Sequence, residues 1–320
     1  MNPGQGKLLV IRGGAIGDFV LTLPAIASLR RQFPAAHLEI LGYPHIAQLA
    51  LAGGLVNRVQ PIEAANLAGF FARGGRLAPE LISYFAGFDV IVSYLYDPDG
   101  IFQTNVALCT GADFISGPHR AMDGGGLHAA KVYLQPLERL AIFDADPVPR
   151  LRLPPPPAPP GPLALHPGSG SERKNWPEAR WAELLHYLAT ATDFELLLVG
   201  GEAEGDRLKR LAAPLPPARV RVAQSRPLAE LAHHLAGCRA FIGHDSGISH
   251  LAAAVGLPGV LLWGETAVEI WRPPSEKMIV LRHPAGLAQL PVETVLTEVR
   301  QMIGVFPGET PPRLNPGNRE

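Results

Sequence analysis

The sequence predicts an α/β protein made of two domains, each built on a parallel β-sheet. Its 320 residues exceed the usual size of a single domain, which is about 150 residues. Short apolar runs alternate with amphipathic helical segments in both halves, a pattern typical of parallel sheets covered by helices on both faces. A proline-rich segment separates the halves: nine of the sixteen residues from 147 to 162 are proline, which neither a helix nor a central strand tolerates.

We therefore expect a first domain over residues 1–150, a linker over 151–162, a second domain over 163–306 and a flexible tail over 307–320. The predicted strands are short runs whose uninterrupted hydrophobicity indicates burial on both faces. In chain order they cover residues 8–11, 38–41, 56–62, 89–95, 163–166, 195–199, 220–223, 240–243, 260–263 and 278–281.

Helical segments lie between these strands. In one of them Trp181, Leu184, Leu185 and Leu188 recur at the spacing of a helix with one apolar face. The last helix carries a similar stripe from Val292 to Ile303. Two domains of this kind leave a cleft between the carboxyl ends of their sheets, which is where such folds bind ligands.

Charge and composition exclude several classes of protein. The chain has 28 Lys and Arg against 29 Asp and Glu, a net charge of −1 and no basic block, so it lacks the cationic surface that nucleic-acid binding needs. It shows no secretory leader and no apolar stretch of about 18 residues. Cys109 and Cys238 stand alone and predict neither disulfide nor zinc site. We expect a cytoplasmic protein.

A glycine-bearing turn follows the first strand and opens the first helix. Gly13, Gly14 and Gly17 allow the backbone to turn tightly and approach a ligand at the helix N-terminus, although their spacing differs from the dinucleotide-binding pattern. Asp18 stands at the start of the helix. It is either an N-cap or a carboxylate that takes a proton from a substrate hydroxyl, and the sequence leaves both open.

A second polar loop, residues 165–177, follows a strand and precedes a helix in the second half. Its small residues expose backbone N–H groups and hydroxyls, and Lys174 adds a mobile cation. This combination suits a phosphate group. The alternative is a solvated turn whose lysine has no binding role.

A third loop, within residues 241–250, again runs from a strand through a polar turn into a helix. The amides of Ser246, Gly247 and Ile248 would point out of the helix N-terminus toward an anion. In the alternative interpretation, Asp245 caps the helix and His250 is an ordinary helix histidine. Loops at neighbouring strand ends of one sheet can meet on one pyrophosphate.

Two acid pairs have the composition of a divalent-cation site. They are Asp97-Pro98-Asp99 and Asp144-Ala145-Asp146, and carboxylate pairs bind Mg²⁺ or Mn²⁺ in other proteins. Neither pair lies in the loops of the second domain, and Asp-Pro-Asp is common in turns. We therefore predict that the protein uses no metal ion.

Four motifs in this order resemble those of glycosyltransferase family 9, the ADP-heptose:lipopolysaccharide heptosyltransferases. The motifs are I-G-D-F-V-L-T-L-P-A from residue 16, H-P-G-S-G-S-E-R-K-N-W-P from 166, L-L-L-V-G-G-E-A-E from 196 and D-S-G-I-S-H-L-A-A-A-V-G-L-P from 245. The resemblance covers roughly residues 7–304. It is strongest from Leu163 to Trp263.

The resemblance implies a GT-B fold, with two Rossmann-like domains facing a cleft, the acceptor on the first domain and the nucleotide sugar on the second. It also implies inversion at the anomeric carbon without a metal ion or other cofactor, with ADP-heptose as the donor. Asp18 matches the family's catalytic base, and Lys174 matches the lysine that neutralises the departing diphosphate.

The resemblance implies further donor contacts. Glu204 matches the acid that binds the nucleotide ribose, although Glu202 is a rival because the spacing there is loose. The remaining residues that match positions against the donor are Ser169, Asp245, Ser246, Gly247 and His250.

The acceptor half is less well defined. A lipopolysaccharide-core acceptor is anionic, and the basic candidates beside glycine-rich loops are Arg73, Arg76 and Arg120. Phe70 and Phe71 are either a membrane-contacting pair, with the protein peripheral at the cytoplasmic face of the inner membrane, or an ordinary buried pair. Two other functions stay open: a GT-B transferase or epimerase using another nucleotide sugar, and a non-catalytic protein that binds one.

Overall fold

The computed structural model describes residues 6–154 and 161–304. Residues 155–160 of the predicted linker and the whole predicted tail, 307–320, lie outside the described residues. The first part contains one sheet of five parallel strands in the order β3-β2-β1-β4-β5. Its strands are β1 (Lys7–Arg12), β2 (His37–Gly42), β3 (Arg58–Pro61), β4 (Val90–Ser93) and β5 (Asp113–Ser116).

Five helices cover this sheet, and two 3₁₀ segments, Ala65–Phe71 and Gln135–Leu140, connect them. The longest helix, α1, follows β1 directly and is mostly buried. The helices are α1 (Ile16–Gln32), α2 (Pro44–Ala52), α3 (Pro79–Ala86), α4 (Ile101–Ala107) and α5 (Ala129–Leu134).

The second part contains a sheet of six parallel strands in the order β11-β10-β9-β6-β7-β8. The strands are β6 (Leu163–Leu165), β7 (Leu196–Gly200), β8 (Val220–Gln224), β9 (Ala240–His244), β10 (Gly259–Leu262) and β11 (Met278–Leu281). The helices are α6 (Glu178–Ala191), α7 (Arg207–Ala212), α8 (Leu228–Ala236), α9 (Gly247–Ala254), α10 (Val268–Trp271) and α11 (Val292–Ile303).

All ten strands expected from the apolar runs are present, with ends shifted by a few residues. The prediction missed β5, because this four-residue edge strand is exposed at both ends and carries polar Asp113 and Ser116 there. The predicted stripe on α6 is fully buried against the second sheet. Among the described residues, no helix is long and apolar enough to cross a membrane.

The two sheets meet through helices that begin at the cleft. Helix α1 packs against α9, and one hydrophobic cluster continues from the first sheet through them into the second domain. The contact is closest at two glycines. A Cβ on Gly247 would lie 2.6 Å from Ile16 Cβ, and one on Gly17 would lie 3.3 Å from His250 Cδ2. The N-termini of the two helices are therefore next to each other.

Polar contacts also join the domains away from these helices. The Trp271 indole N–H of α10 donates to an Asp123 carboxylate oxygen in the loop after β5. His128 Nε2 donates to the Arg272 carbonyl at 2.7 Å. The loop between β5 and α5 thus lies against the second domain.

Candidate active site

Asp18 lies in the first turn of α1, at the edge of the cleft. The helix begins at Ile16 and its N-cap residue is Ala15, so the interpretation of Asp18 as an N-cap is wrong. Its Oδ1 instead accepts a hydrogen bond from the Tyr133 hydroxyl at 3.2 Å. The side chain is 25% exposed, so the carboxylate is within reach of a ligand in the cleft.

A buried arginine lies behind this carboxylate. Arg12 is the last residue of β1 and is only 2% exposed. Its Nη2 lies 3.9 Å from Asp18 Oδ1 and donates to the Asp18 carbonyl at 3.2 Å. Its Nη1 donates to the His119 carbonyl at 2.6 Å, and the guanidinium carbon lies 4.6 Å from the centroid of the Tyr133 ring. One side chain thus joins the β1–α1 turn, the loop after β5, and α5.

On the second domain, Lys174 and Asp245 form an ion pair with Nζ and Oδ2 2.6 Å apart. The N-cap of α9 is Ser246, whose Oγ accepts from the Ser249 N–H at 3.3 Å, so the interpretation of Asp245 as the cap is wrong. The Asp245 side chain is 8% exposed and that of Lys174 is 38% exposed. Because an ammonium has three N–H donors, Lys174 keeps donors for a ligand.

The N-terminus of α9 adds a partial positive charge, which has the same sign as the charge of Lys174. The first N–H groups of a helix, here those of Gly247 and Ile248, have no acceptor within the helix. They give the helix start a partial positive charge that attracts anions. Together with Lys174, they form an environment suited to a diphosphate.

The loop over residues 166–177 lies beside this helix start. Ser169 Oγ donates to the Ser171 carbonyl at 2.8 Å and lies 2.7 Å from Asn175 Oδ1. Both contacts are within the loop. They stabilise the turn of the loop that also carries Lys174.

A histidine that the sequence analysis did not single out holds this loop to the second sheet. His244 Nε2 accepts from the Trp176 backbone N–H at 2.8 Å, so this nitrogen carries no proton. The proton is therefore on Nδ1, which donates to the Gly168 carbonyl at 3.1 Å. Burial lowers the pKa of His244 to about 3, so the ring is neutral.

The two acidic candidates for the ribose contact differ in burial. Glu204 is 7% exposed and its Oε2 accepts from the Gly201 N–H at 2.5 Å, whereas Glu202 is exposed. A Cβ on Gly168 would lie 2.0 Å from Glu204 Oε1, so only glycine allows this approach. His166 Nε2 lies 3.7 Å from the same oxygen. Burial lowers the pKa of His166 to about 4, so this is not an ion pair at neutral pH.

His250 connects the two sides of the cleft. It is 6% exposed in α9 and lies against Gly17 of α1. Burial lowers its pKa to about 4. Within residues 6–154 and 161–304 its Nδ1 is a buried atom without a hydrogen-bond partner. It is therefore not the fully hydrogen-bonded helix histidine of the alternative interpretation.

One protein-family model matches the segment that contains the loops of the second domain. Glycosyltransferase family 9 (heptosyltransferase) matches residues 152–295, which include Lys174, Glu204, Asp245 and His250. The matched segment is the second part of this chain, which is therefore similar to glycosyltransferase family 9.

Curated relatives named heptosyltransferase also match part of this chain. Lipopolysaccharide heptosyltransferase 1 of Pseudomonas aeruginosa is 39% identical over 131 residues, which are 41% of this chain and 33% of that protein. The protein of the same name from Escherichia coli K12 is 34% identical over 127 residues, 37% of this chain and 39% of the relative. The matched segments thus span 33% to 39% of the length of these curated relatives.

Solved family 9 structures share the fold over nearly the whole chain. A family 9 glycosyl transferase from Veillonella parvula has a TM-score of 0.77 at 18% identity, covering 95% of this chain and 98% of that one. An E. coli heptosyltransferase solved with ADP has a TM-score of 0.71 at 20% identity, covering 92% and 99%. The two parallel-sheet domains therefore have the GT-B fold that the sequence predicted.

The predicted acceptor arginines lie on two separate loops of the first domain. Arg73 and Arg76 are exposed after the segment Ala65–Phe71, and Arg73 lies 3.8 Å from an Asp99 oxygen. Arg120 is exposed, with its guanidinium carbon 5.2 Å from the centroid of the Trp271 ring. Arg120 directly follows His119, whose carbonyl Arg12 holds. Of the three arginines, Arg120 is therefore the one connected to Asp18, through His119 and Arg12.

The rings of the neighbouring residues Phe70 and Phe71 lie in different environments. Phe70 is fully buried, as the ordinary interpretation predicted, with its ring 4.9 Å from Phe85. Phe71 is 46% exposed, so that interpretation is wrong for the second ring.

The two acid pairs have local partners. The Asp97 oxygens accept from the backbone N–H groups of Phe102 and Gln103 at 3.1 and 3.0 Å. Asp146 Oδ1 accepts from the Val148 N–H at 3.0 Å. In the part of the chain that the structure describes, no three His, Cys, Asp or Glu side chains are grouped so as to hold a metal.

Arg12, Tyr133 and His244 are the site residues that sequence reasoning missed. Tyr133 is 115 residues from Asp18 in the chain, and the His119 carbonyl is 107 residues from Arg12. A charged residue at the end of an apolar strand was a usable indication for Arg12, because a charge there is buried only when it has partners.

Proposed function

We propose that this chain is a glycosyltransferase that moves a heptose from ADP-heptose to a hydroxyl of a lipopolysaccharide-core or related glycan acceptor. The observation that carries the proposal is the contact between the N-termini of α1 and α9. It brings the first turn of α1, which carries Asp18, against His250 of α9, and Lys174 pairs with Asp245 directly before that helix. The relatives named lipopolysaccharide heptosyltransferase and the neighbour solved with ADP support this choice of substrates.

In the proposed reaction Asp18 is the general base. The acceptor hydroxyl oxygen attacks the anomeric carbon from the face opposite the diphosphate and gives its proton to the Asp18 carboxylate. The bond from the anomeric carbon to the diphosphate oxygen breaks, and its electron pair leaves with ADP. A single displacement of this kind inverts the anomeric configuration.

The second domain would stabilise the leaving group. The diphosphate gains negative charge as the bond breaks, and Lys174 with the first N–H groups of α9 supplies positive charge at that place. This arrangement supports departure of ADP without a metal ion. Glu204, buried beside Gly168, is our candidate for the ribose contact.

The direct test is release of ADP from ADP-heptose in the presence of a lipopolysaccharide-core acceptor, with and without a chelator. We expect turnover that a chelator leaves unchanged and a product of inverted anomeric configuration by NMR. A binding series with ADP, UDP and GDP checks the nucleotide. Binding of ADP-heptose without ADP release with any acceptor would indicate the non-catalytic alternative, and preference for UDP or GDP would indicate another donor.

Replacement of Asp18 tests the base. Asp18→Ala should remove turnover while leaving the affinity for ADP nearly unchanged, because the residue faces the acceptor side. Turnover in this variant close to that of the unmodified protein would contradict the assignment.

We also propose that the protein contacts the inner membrane peripherally at its cytoplasmic face, where a glycolipid acceptor would be presented. The exposed Phe71 ring supports this proposal. Co-sedimentation with anionic vesicles should fall in Phe71→Ser and stay the same in Tyr96→Ser, which removes another exposed ring. Equal binding of both variants would contradict it.

A further inference from the structure

The carboxylate of Asp18 is held by two side chains from other elements, Arg12 of β1 and Tyr133 of α5. We propose that Arg12 and Tyr133 are positioning residues, which fix Asp18 Oδ1 so that Oδ2 receives the proton of the acceptor hydroxyl. The inference rests on the proposed function, in which Asp18 is the base. It adds the two groups that hold the base in its orientation.

Geometry distinguishes the two oxygens of the carboxylate. Oδ1 lies 3.2 Å from the Tyr133 hydroxyl and 3.9 Å from Arg12 Nη2. Oδ2 is on the side of Gly14, where a Cβ would lie 3.5 Å from it. Residue 14 is a glycine, so no side chain at this position covers that oxygen.

Arg12 supplies a charge that does not move. Its guanidinium is almost completely buried, and its Nη groups are fixed by the carbonyls of Asp18 and His119. A buried guanidinium stays protonated and is costly to leave without a nearby anion. The Asp18 carboxylate, 3.9 Å from Nη2, is the anion beside it.

Tyr133 supplies a directed proton. Burial and the negative charge of Asp18 both raise the pKa of Tyr133, and the nearby Arg12 charge opposes them. The hydroxyl therefore keeps its proton at neutral pH and donates it to Oδ1. A hydrogen bond to a charged acceptor is directional and stronger than one between neutral groups, so it fixes the rotation of the carboxylate.

The charged and titratable side chains near the contact between Asp18 and Tyr133 are Arg12 of β1, Tyr94 directly after β4 and His250 of α9. His250 and both tyrosines are neutral at pH 7, because burial lowers the pKa of the histidine and raises those of the tyrosines. Arg12 is thus the cation of this set.

The test is the pH profile of Tyr133→Phe. The variant removes only the donor to Oδ1, so we expect kcat to fall by about tenfold and the acidic limb of its pH profile to move up by about one pH unit. The limb moves to higher pH because a carboxyl group whose ionised form has lost a hydrogen bond gives up its proton less readily. The affinity for ADP should not change. A lower kcat with an unmoved limb would overturn the proposal, since a purely structural role predicts that result.

Tyr94→Phe is the matched control. The Tyr94 hydroxyl is also buried and donates to the Tyr133 carbonyl at 2.6 Å, so its loss perturbs the same helix without touching Asp18. We expect a lower melting temperature and an acidic limb at the original pH. A limb that moves equally in both variants would overturn the specific role of Tyr133.

A measurement without substrates separates this inference from the proposed function. The Tyr133 ring carbon that bears the hydroxyl can be assigned by ¹³C NMR through its loss in Tyr133→Phe. In Asp18→Asn, the pKa of Tyr133 should fall, because the negative charge that raises it is gone. An unchanged Tyr133 titration would overturn the inference. If the unmodified protein transfers no sugar, the proposed function fails. The titration still shows whether Asp18 and Tyr133 are in contact.

Discussion

Each of the two carboxylates at the cleft has a cation beside it, and the two cations differ in freedom. Arg12 is buried and bound to backbone carbonyls, so it stays next to Asp18. Lys174 is 38% exposed and uses one donor on Asp245. The fixed cation suits a base that must stay charged. The mobile one suits a phosphate that arrives and leaves.

Lys174→Ala tests the mobile cation. We expect the affinity for ADP to fall roughly 10- to 100-fold, the effect of losing a hydrogen bond to a charged group. Isothermal titration calorimetry measures it directly. Lys209→Ala is the control, because Lys209 pairs with Asp206 on the surface of α7. An ADP affinity equal in both variants would remove Lys174 from the donor site.

The sequence indicated Asp18 and Lys174 as candidates because short motifs carry them, and it could not indicate Arg12 or Tyr133. Their role depends on contacts between residues more than one hundred positions apart in the chain. It also could not predict which of Glu202 and Glu204 is buried, since that depends on which of them turns inward in a single 3₁₀ turn.

At the scale of elements, the cleft depends on how closely α1 and α9 approach. Glycines at positions 17 and 247 allow the contact, because a side chain at either place would meet the other helix. Strands with continuous apolar runs could be predicted from the sequence. The packing of two helices from different domains could not, since it has no local pattern.

Gly247→Ala tests this contact. A Cβ 2.6 Å from Ile16 Cβ forces the helices apart, and a displacement of about 1 Å at a reacting group costs up to 100-fold in rate. We expect kcat/KM to fall at least about tenfold, with the secondary structure by circular dichroism unchanged. Gly111→Ala is the control, because a Cβ there meets nothing within 4 Å. Equal kcat/KM values for the two variants would contradict the role of the contact.

At the scale of the whole molecule, buried histidines make stability depend on pH. Burial lowers the pKa values of His166, His244 and His250 to about 4, 3 and 4, against about 6.5 in an unfolded chain. Between these values the unfolded chain binds protons that the folded one does not. The contribution of these histidines to the free energy of unfolding is therefore fully present above about pH 6.5 and is lost as the pH drops toward 4.

This predicts a steep loss of stability in mild acid. Each such histidine contributes a slope of up to about 1.4 kcal/mol per pH unit below pH 6.5. Denaturant unfolding at pH 7, 6 and 5 should show the decrease. His250→Asn should lower the slope by about one histidine's share, whereas the exposed His234→Asn should leave it unchanged. A free energy of unfolding that is constant from pH 7 to pH 5 would contradict the prediction.

Trp271 gives the molecule a built-in optical reporter. The chain has four tryptophans, and Trp176, Trp181 and Trp263 are buried within the second domain. Trp271 alone of the four has its indole N–H on a carboxylate of the first domain and the Arg120 guanidinium over its ring. Its emission wavelength and quenching should therefore follow the separation of the domains. A Trp271→Phe difference spectrum would record domain motion in real time, without an attached dye.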